Sequence, residues 1–591
     1  MARNRYDVDE VLETPFDFAH LKRSFVYIKK YKGKMITALA LSVFAAISGL
    51  LGPLITQYAL DNTIPQKNMG QLVLLTLAFV GTIAVSITFS TIRSRIMTVV
   101  GQDIIFDIRT DLFKHLQELP FEYYDNRPHG KILIRVVNYV NSVSDMLSNG
   151  IINVILECLN MLFIMIFMFF VNVKLSLVVL SGLPIFAVIM MMIKKRQRKA
   201  WQDVSNKSSN LNAYLQENIT GARVTQIFTR EEENAHIFDR LSEKYRKSWI
   251  NAVKYSNLVW PATDNVSTLV RAAIFVVGLL VLTPAAVSLG TIVAMTSYAS
   301  SFWQPIMNLS NIFNNFINNI AYLERIFETL DEPATIADKP NAQDIGDITG
   351  EVKFDDVTFS YEQGKTVLEH ISFDVKPGES VALVGPTGAG KSTVVSLLSR
   401  FYDLDSGKIT IDGKDISQAT LHSLRSQMGI MLQDSFIFSG TIYDNIRYGR
   451  LDATEEEIRE AAKIVCADEF INEMKDGYMT EVNERGSKLS GGQKQLISFA
   501  RTLLSDPKIL VLDEATSSID ARTEKLLQQG LQRLLVGRTS FIIAHRLSTI
   551  KNCDKIMYID NKGIAECGTH DQLIAKKGEY YKLYTAQHMD E

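Results

Sequence analysis

Long apolar runs with very few charges recur in the first 330 residues of the chain, whereas the remainder alternates short apolar runs with polar segments. Six of the runs approach the ~20 apolar residues that one bilayer crossing requires. They lie near residues 35–58, 72–92, 152–171, 175–193, 267–282 and 291–313. Buried helices of a large soluble protein rarely extend so far without charge, and the pattern therefore predicts six membrane-spanning helices.

Lysines and arginines flank these spans unevenly. They cluster before the first span, after the second and after the fourth, but the connections near 61–69 and 283–290 carry almost no charge. Because basic residues concentrate in cytoplasmic loops, this distribution predicts a multi-pass protein of the cell membrane with both termini in the cytoplasm.

Two cytoplasmic connections keep helical spacing well beyond the spans. From Arg93 to about Leu119, apolar residues recur every three or four positions, and no proline interrupts before Pro120. About 27 such residues extend a helix by roughly 40 Å. Residues 199–254 follow the same pattern with a break near Gly221. We expect rigid levers that reach a second cytoplasmic domain; a solvated coiled-coil hairpin is the alternative.

Two polar features of the predicted membrane helices stand out. Arg271 lies roughly 17 Å from the outer end of the fifth span by helical rise, and a charge at that depth faces the protein interior or a wet cavity. Asp264 is a candidate partner, so Arg271 serves either an ion pair between helices or a substrate. A row of asparagines on one face of the sixth helix suits an aqueous pathway or interhelical hydrogen bonds. These residues are Asn308, Asn311, Asn314, Asn315, Asn318 and Asn319.

Composition narrows the class of protein. A chain of 591 residues is too long for one compact core, and its net charge of −3 argues against a nucleic-acid partner. The four cysteines show neither paired nor metal-ligand spacing, so we expect reduced thiols. The first 34 residues are polar and charged, without the apolar core of a cleavable signal peptide.

Short β-type runs follow a polar linker in the second part of the chain. They lie near residues 352–354, 380–384, 408–411, 428–432, 509–512 and 539–544, and helical stretches separate them. This alternation predicts a largely parallel core sheet surrounded by helices. The predicted organisation is a cytoplasmic N-terminal elbow at 1–34, a transmembrane domain at 35–330, a linker at 331–350 and an α/β domain at 351–591.

The strand predicted at 380–384 leads directly into a phosphate-binding pattern. The pattern reads Gly385-Pro386-Thr387-Gly388-Ala389-Gly390-Lys391-Ser392 and fits G-x-x-x-x-G-K-[ST]. Its glycines let backbone N–H groups turn towards phosphate oxygens, Lys391 reaches the terminal phosphates, and the Ser392 hydroxyl can hold Mg²⁺. A helix is predicted from Lys391 onward, so the loop lies at a helix N-terminus that favours anions.

Two further strands end in residues suited to catalysis. The apolar run at 509–512 is followed by Asp513, which is well placed to position Mg²⁺, and then by Glu514, which can orient or deprotonate a water. His545 ends another apolar strand. A lone histidine there is more often a structural residue, and only the surrounding motifs raise its importance.

A second motif, Leu489-Ser490-Gly491-Gly492-Gln493, completes the pattern. With these motifs in this order, the chain resembles a half-transporter of the ABC exporter superfamily, of the six-helix type found in bacterial multidrug and lipid exporters. The resemblance implies an all-α six-helix transmembrane domain with long cytoplasmic helical extensions, followed by an α/β P-loop ABC ATPase domain.

The resemblance also assigns roles to individual residues. It implies that Tyr361 stacks on adenine and that the phosphate loop extends through Thr393. It also implies that Ser392, Gln433 and Asp513 form the Mg²⁺ site, in which Gln433 senses the ion. Ser490, Gly491, Gly492 and Gln493 form the signature, Glu514 is the catalytic base and His545 the switch histidine. Asn483 and Ile519 depart from the usual glycine and leucine of the family.

The resemblance implies that two half-transporters form a dimer in a bacterial cytoplasmic membrane. This dimer would use ATP with Mg²⁺ to drive export by alternating access. The expected substrates are small amphipathic or lipophilic molecules (drugs, lipids or peptides). The intact motifs favour a homodimer, and a heterodimer with a degenerate partner is the alternative. Two other classes compete: an ATP-gated channel, which intact Glu514 disfavours, and a membrane-anchored ATPase that transports nothing, for which six spans are excessive.

Overall fold

The computed structural model describes residues 18–590, except 126, 128, 282–286, 363, 432–434, 484–485, 514–520 and 544–549. The chain divides into two compact units. Residues 1–117 and 129–332 belong to the first unit, and residues 118–128 and 333–591 belong to the second. The short segment 118–128 therefore associates with the C-terminal part of the chain, although helices of the first unit flank it in sequence.

In the residues that the structure describes, the secondary structure of the first unit is entirely helical. Several of the helices are much longer than the ~20 residues of one crossing. They are α1 (Phe18–Lys30), α2 (Lys32–Tyr58), α3 (Met69–Glu118), α5 (His129–Ile134), α6 (Val140–Asp145), α7 (Ile151–Val171), α8 (Val173–Thr220), α9 (Ala222–Ile227), α10 (Glu231–Asn257), α11 (Val259–Val276) and α12 (Leu289–Leu330). Helix α4 (Phe121–Asp125) belongs to the second unit. Wider π turns at Arg135–Tyr139 and Met146–Gly150 join α5, α6 and α7 into one continuous rod.

Five long helical stretches of the described residues are apolar enough to cross a membrane. They are Lys32–Thr63, Met69–Glu118, Gly130–Val171, Val173–Thr220 and Glu231–Leu280, and each contains one predicted span. The sixth predicted span falls in α12, a 42-residue helix in which serines, threonines and asparagines interrupt the apolar residues. The helical transmembrane part of the predicted fold is confirmed.

The two predicted helical extensions are present. Helix α3 runs without interruption for 50 residues. Helix α8 ends at Gly221, and α9 and α10 follow it. Helices α8 and α10 pack on each other through the small side chains of Ala200, Val204 and Ala252. The second extension is therefore a helical hairpin.

Asparagine and glycine residues shape the tight packing of the spans. Asn172 leaves the helical conformation and caps α8, because its side-chain oxygen accepts a hydrogen bond from the Leu175 N–H. This one residue makes the sharp turn between the third and fourth spans. At Gly182 of α8, a Cβ would stand 2.6 Å from Val270 Cγ2 and 3.1 Å from the Trp303 ring, so α8, α11 and α12 approach closely.

Arg271 does not form the ion pair that we considered with Asp264. Its guanidinium donates a hydrogen bond to the Thr268 hydroxyl, one turn earlier on α11, at 2.8 Å. Asp264 is exposed. Two turns separate the two residues along the same helix, and the rotamer of Arg271 selects the nearer acceptor.

The second unit alternates strands and helices. Its strands are β1 (Val352–Glu362), β2 (Lys365–Val375), β3 (Ser380–Val384), β4 (Ser406–Ile411), β5 (Lys414–Asp415), β6 (Met428–Met431), β7 (Gly440–Thr441), β8 (Glu481–Val482), β9 (Ile509–Asp513), β10 (Thr539–Ile543), β11 (Lys555–Asp560) and β12 (Gly563–Gly568). Its helices after α4 are α13 (Lys391–Leu398), α14 (Leu421–Arg425), α15 (Ile442–Arg447), α16 (Glu455–Ile464), α17 (Asp468–Glu473), α18 (Gly491–Leu504), α19 (Ala521–Leu535), α20 (His570–Lys576) and α21 (Glu579–Asp590).

A six-stranded sheet in the order β12-β11-β3-β10-β9-β6 forms the centre of this unit. All of its pairings are parallel except that of β11 with β12. Alternate residues of each central strand enter two different cores: Val511 of β9 faces one core and Leu512 the other. Burial on both faces explains why these strands appear as continuous apolar runs in the sequence. The runs at 352–354 and 408–411, predicted for the parallel core, instead lie in β1 and β4 of a second, antiparallel sheet, β2-β1-β4-β5.

Asp61, which follows α2, holds the N-terminus of α12. Its carboxylate accepts hydrogen bonds from the Gly290 N–H at 2.8 Å and from the Ser288 hydroxyl. Gly290 tolerates no side chain, because a Cβ would stand 2.6 Å from the Gln57 carbonyl oxygen and 2.7 Å from Asp61 Cγ. A carboxylate at a helix N-terminus is stabilising.

We predict that Asp61→Ala lowers the stability of the detergent-solubilised protein by ~1–3 kcal/mol, since a charged acceptor of two hydrogen bonds is lost. The measurement is the midpoint of thermal unfolding. Gly290→Ala lowers the same midpoint through steric conflict, and Gln66→Ala, an exposed residue of the same connection, leaves it unchanged. An unchanged midpoint in Asp61→Ala contradicts this account.

Candidate functional site

Three neighbouring strands end at one edge of the central sheet. Strand β10 lies between β3 and β9, and Ile543 pairs with Leu383 on one side and with Asp513 on the other. Because the three strands are parallel, the segments that follow them emerge together, which is the usual position of ligands in α/β sheets. This edge therefore gathers the glycine-rich segment that begins at Gly385 and the carboxylate of Asp513.

Close contacts require two of the glycines in this segment. Gly385 has a φ of +143°, and a Cβ there would stand 2.1 Å from the Ile559 carbonyl oxygen. Gly390 has a φ of +101°, and a Cβ there would stand 2.6 Å from Leu368 Cδ2. Both ends of the loop are thus held by neighbouring strands in a conformation that only glycine adopts easily. Between them, Pro386, Thr387 and Gly388 are exposed, and Ala389 is half-buried.

Lys391 begins α13 and folds back over the loop. Its Nζ donates hydrogen bonds to the carbonyl oxygens of Gly385 (2.9 Å) and Pro386 (2.8 Å). Burial lowers the pKa of the Lys391 ammonium, and the Asp513 carboxylate offsets part of this effect. A bound phosphate would favour the charged form further. The loop and Lys391 can therefore hold a polyphosphate at the N-terminus of α13.

An aromatic ring is held next to this loop. The Tyr361 hydroxyl lies 3.1 Å from the hydroxyl of Thr393, which is buried on α13. The Tyr361 ring meets Phe359 and Tyr402 nearly at right angles, yet 44% of the residue is exposed. Its position is thus fixed while part of its surface remains available to stack on a planar base.

The sequence did not reveal that this aromatic cluster extends to α4. Tyr402 donates a hydrogen bond to Asp125 at 2.7 Å, and the rings of Phe401 and Phe121 lie 4.4 Å apart. Burial raises the pKa of Tyr402, and the Asp125 carboxylate raises it further, so the hydroxyl keeps its proton and remains a donor. Tyr402 therefore contacts both the Tyr361 ring and Asp125 of α4, the short helix that follows α3.

Ser490 caps the helix of the second motif, α18. Its hydroxyl accepts a hydrogen bond from the Gln493 N–H at 3.2 Å, and the Gln493 side-chain oxygen accepts one from the Ser490 N–H at 2.9 Å. The Ser490 hydroxyl retains its own proton for another acceptor. The Gln493 oxygen, in contrast, is engaged inside the chain. Gly492 is buried in the first turn of α18.

Gly491, the first residue of α18, has open space around it. It is exposed, it does not adopt a positive φ, and no atom outside its own turn lies within 4 Å of a Cβ placed there. Neither its backbone nor packing among the described residues requires a glycine. A requirement for glycine at this position would therefore come from something that approaches α18 from outside the chain.

Three predicted site residues lie outside the described residues. They are Gln433, Glu514 and His545. In the sequence, Glu514 comes immediately after the last residue of β9. Gln433 is the second residue after β6, and His545 is the second residue after β10. Their roles remain predictions.

Comparisons with known proteins show the family. A family model of the ABC transporter transmembrane region matches residues 35–306, and a model of the ABC transporter matches residues 368–517. The ABC transporter ATP-binding protein YknV of Bacillus subtilis is 41% identical over 590 residues, which cover 100% of this chain and 98% of that protein. The chain belongs to the ABC exporter family. The exporter thus combines a membrane region with an ATPase that couples ATP hydrolysis to transport.

Other relatives carry more specific names. A fatty acid ABC transporter ATP-binding/permease protein of Mycobacterium bovis is 37% identical over 84% of the exporter and 78% of that relative. A putative multidrug export ATP-binding/permease protein, YgaD, of Bacillus subtilis is 35% identical over 96% of the exporter and the whole relative. The structure of a bacterial Atm1-family ABC exporter with ATP bound matches with a TM-score of 0.79 at 28% identity, covering 94% of the exporter and 98% of that chain.

We predict that Tyr361→Ala weakens ATP binding by the exporter at least roughly fivefold, because stacking of a base on an aromatic ring contributes ~1–3 kcal/mol. Tyr361→Phe keeps the ring and loses only the contact with Thr393, so its affinity should stay within about twofold of the original. Equilibrium binding is measured with excess chelator to prevent hydrolysis. Equal losses in the two variants would show that the hydroxyl, not the ring, carries the contact.

Proposed function

We propose that two copies of this exporter form a homodimer that moves small amphipathic or lipophilic molecules out across a bacterial cytoplasmic membrane by alternating access. ATP binding would close the two ATPase units on each other, and hydrolysis would reopen them. The observation that carries this proposal is the open surface around Gly491, next to a serine hydroxyl that retains a proton to donate.

The architecture supports a dimer. The exporter has one membrane region and one ATPase region, and half-transporters of this family act in pairs. Ser490 and Gly491 lie at the N-terminus of a 14-residue helix, where amide and hydroxyl donors suit a phosphate. We propose that they complete the ATP site of the partner copy. The predicted catalytic residues are intact in the sequence, which favours a homodimer over a heterodimer with a degenerate partner.

Within each ATP site, we propose that Tyr361 stacks on adenine and that residues 385–393 hold the phosphates through Lys391 and backbone N–H groups. Glu514 would accept a proton from the attacking water, and His545 would contact the γ-phosphate. Closure then depends on a difference in affinity: ATP binds the closed dimer better than the open one and shifts the population towards it.

The donor set at the sheet edge fits Mg²⁺. The Ser392 hydroxyl and the Asp513 carboxylate are hard oxygen ligands, and Mg²⁺ in nucleotide sites takes one or two such groups together with substrate phosphates. Among the described residues, no three His, Cys, Asp or Glu side chains are grouped to form a complete metal site of their own. When bound with ATP, the ion neutralises phosphate charge. Gln433 is proposed as a further ligand.

We also propose the orientation and the domain limits that the sequence predicts. The basic residues next to the spans favour a cytoplasmic location for both termini and for the ATPase unit. We therefore keep the elbow at 1–34, the transmembrane domain at 35–330, the linker at 331–350 and the ATPase domain at 351–591. The names of the relatives, fatty acid transporter and multidrug exporter, support an amphipathic or lipophilic substrate.

We predict that Glu514→Gln lowers ATP turnover at least about a hundredfold while ATP stays bound, because general-base catalysis contributes roughly 10²–10⁴-fold. The measurement is phosphate release together with the ATP retained by the purified dimer after rapid gel filtration. Glu456→Gln on α16, an exposed carboxylate, is the matched control and should change neither quantity.

Substantial turnover in Glu514→Gln would contradict the catalytic assignment. Transport itself is tested with the exporter in proteoliposomes, where ATP-driven accumulation of a fluorescent amphiphile is compared for the original chain and Glu514→Gln. Equal accumulation in both would exclude ATP-driven export.

A further inference from the structure

A polar cavity of about 450 Å³ lies among α2, α3, α7 and α12 of the first unit. Five of its lining side chains are amides, and three of these, Asn308, Asn311 and Asn315, belong to the asparagine row of α12. The cavity also contains one group of each charge, Arg93 on α3 and Glu157 on α7. Part of the asparagine row of α12 thus lines a cavity inside a single chain.

Glu157 lies within the third predicted span, where a carboxylate is costly and therefore points to a functional site. It accepts a hydrogen bond from the Asn308 side-chain N–H at 2.7 Å, and Asn308 in turn accepts one from Gln304 at 2.9 Å. These amides orient the carboxylate without neutralising it. Glu157 therefore presents its carboxyl group to the cavity.

Arg93 carries the opposite charge, but it does not form an ion pair with Glu157. Neither residue forms an ion pair within 4.0 Å with any described residue. Arg93 donates one long hydrogen bond, 3.4 Å, to Asn153, and its Nε is buried without a partner among the described residues. A guanidinium has five donors, so most of this capacity is unused. An unpaired buried donor is destabilising, and a ligand anion would relieve this cost.

We propose that this cavity binds the head group of a zwitterionic amphiphile, with its phosphate or carboxylate against Arg93 and its ammonium against Glu157. A simple anion would meet the Glu157 carboxylate, and a simple cation would meet the Arg93 guanidinium, so each is disfavoured by one side of the cavity. The volume is at the low end of small-molecule sites. It suits a head group, and an acyl chain would remain outside among the apolar helix surfaces.

This inference rests on the proposed export function, since it names the class of substrate. The test measures binding without ATP in dodecyl maltoside, whose head group is uncharged. Three probes share one C12 chain: dodecylphosphoethanolamine is zwitterionic, dodecyl phosphate is anionic and dodecylamine is cationic. Because hydrolysis and transport are not involved, failure of export with intact zwitterion binding would contradict only the proposed function.

We expect the original chain to bind the zwitterionic probe at least about tenfold more tightly than either singly charged probe. Arg93→Gln should weaken zwitterion binding about tenfold and improve dodecylamine binding. Glu157→Gln, which keeps the size of the side chain and can still contact Asn308, should weaken zwitterion binding and improve dodecyl phosphate binding. Arg95→Gln, two residues along α3 and exposed, is the control and should change nothing.

Equal affinity for the three probes in the original chain would overturn the proposal, and so would a preference for dodecyl phosphate over the zwitterion. If Arg93→Gln does not fold, Glu157→Gln alone decides the question. Improved dodecyl phosphate binding in that variant supports the cavity assignment, and unchanged affinities for all three probes exclude it.

Discussion

Leu383, Ile543 and Asp513 lie side by side on three parallel strands, and the chemistry of the ATPase unit depends on this register. The register brings the ends of β3, β10 and β9 to one edge, so that the phosphate loop and the Asp513 carboxylate share a site although about 120 residues separate them in sequence. Burial of each strand on both faces makes the register rigid, because a slip by one residue would exchange the two cores. Close contacts of Gly385 and Gly390 with neighbouring strands then fix the loop.

The membrane unit uses polar groups in a different way. In the ATPase unit, Lys391 finds two carbonyl acceptors inside its own loop. In the cavity of the membrane unit, Arg93 and Glu157 stay apart, each with unused hydrogen-bonding capacity. Charges are expensive in such a place, which is why we connect the cavity with a ligand. At Gly491, neither the backbone conformation nor the described surroundings require glycine, so this position is open to an approaching partner.

Local sequence patterns predicted most of the fold. The spans, the uninterrupted helix α3, the break at Gly221 and the central strands follow from periodicity and from the positions of glycine and proline. Tertiary contacts were harder to predict from the sequence. Strand β2 has mixed polar and apolar residues and exposes much of its length, so it was missed, and the runs at 352–354 and 408–411 were assigned to the parallel sheet although they belong to the antiparallel one. The hydrogen bonds of Tyr402 with Asp125 and of Asn308 with Glu157 join residues more than 150 positions apart. Arg271 was assigned a charged candidate partner, but its local rotamer selects Thr268.

The most direct test of the account asks whether one ATP site is built from two chains. Differently tagged copies carrying Lys391→Ala and Gly491→Asp are co-expressed, and the mixed dimer is isolated through both tags with Glu514→Gln in each copy. If Lys391 of one copy works with Gly491 of the other, one site carries both changes and the second is intact. We predict that the mixed dimer retains about one ATP. A dimer in which one copy carries both substitutions and the other carries neither should retain none. The opposite pattern would show that each ATP site lies within a single chain and would contradict the account.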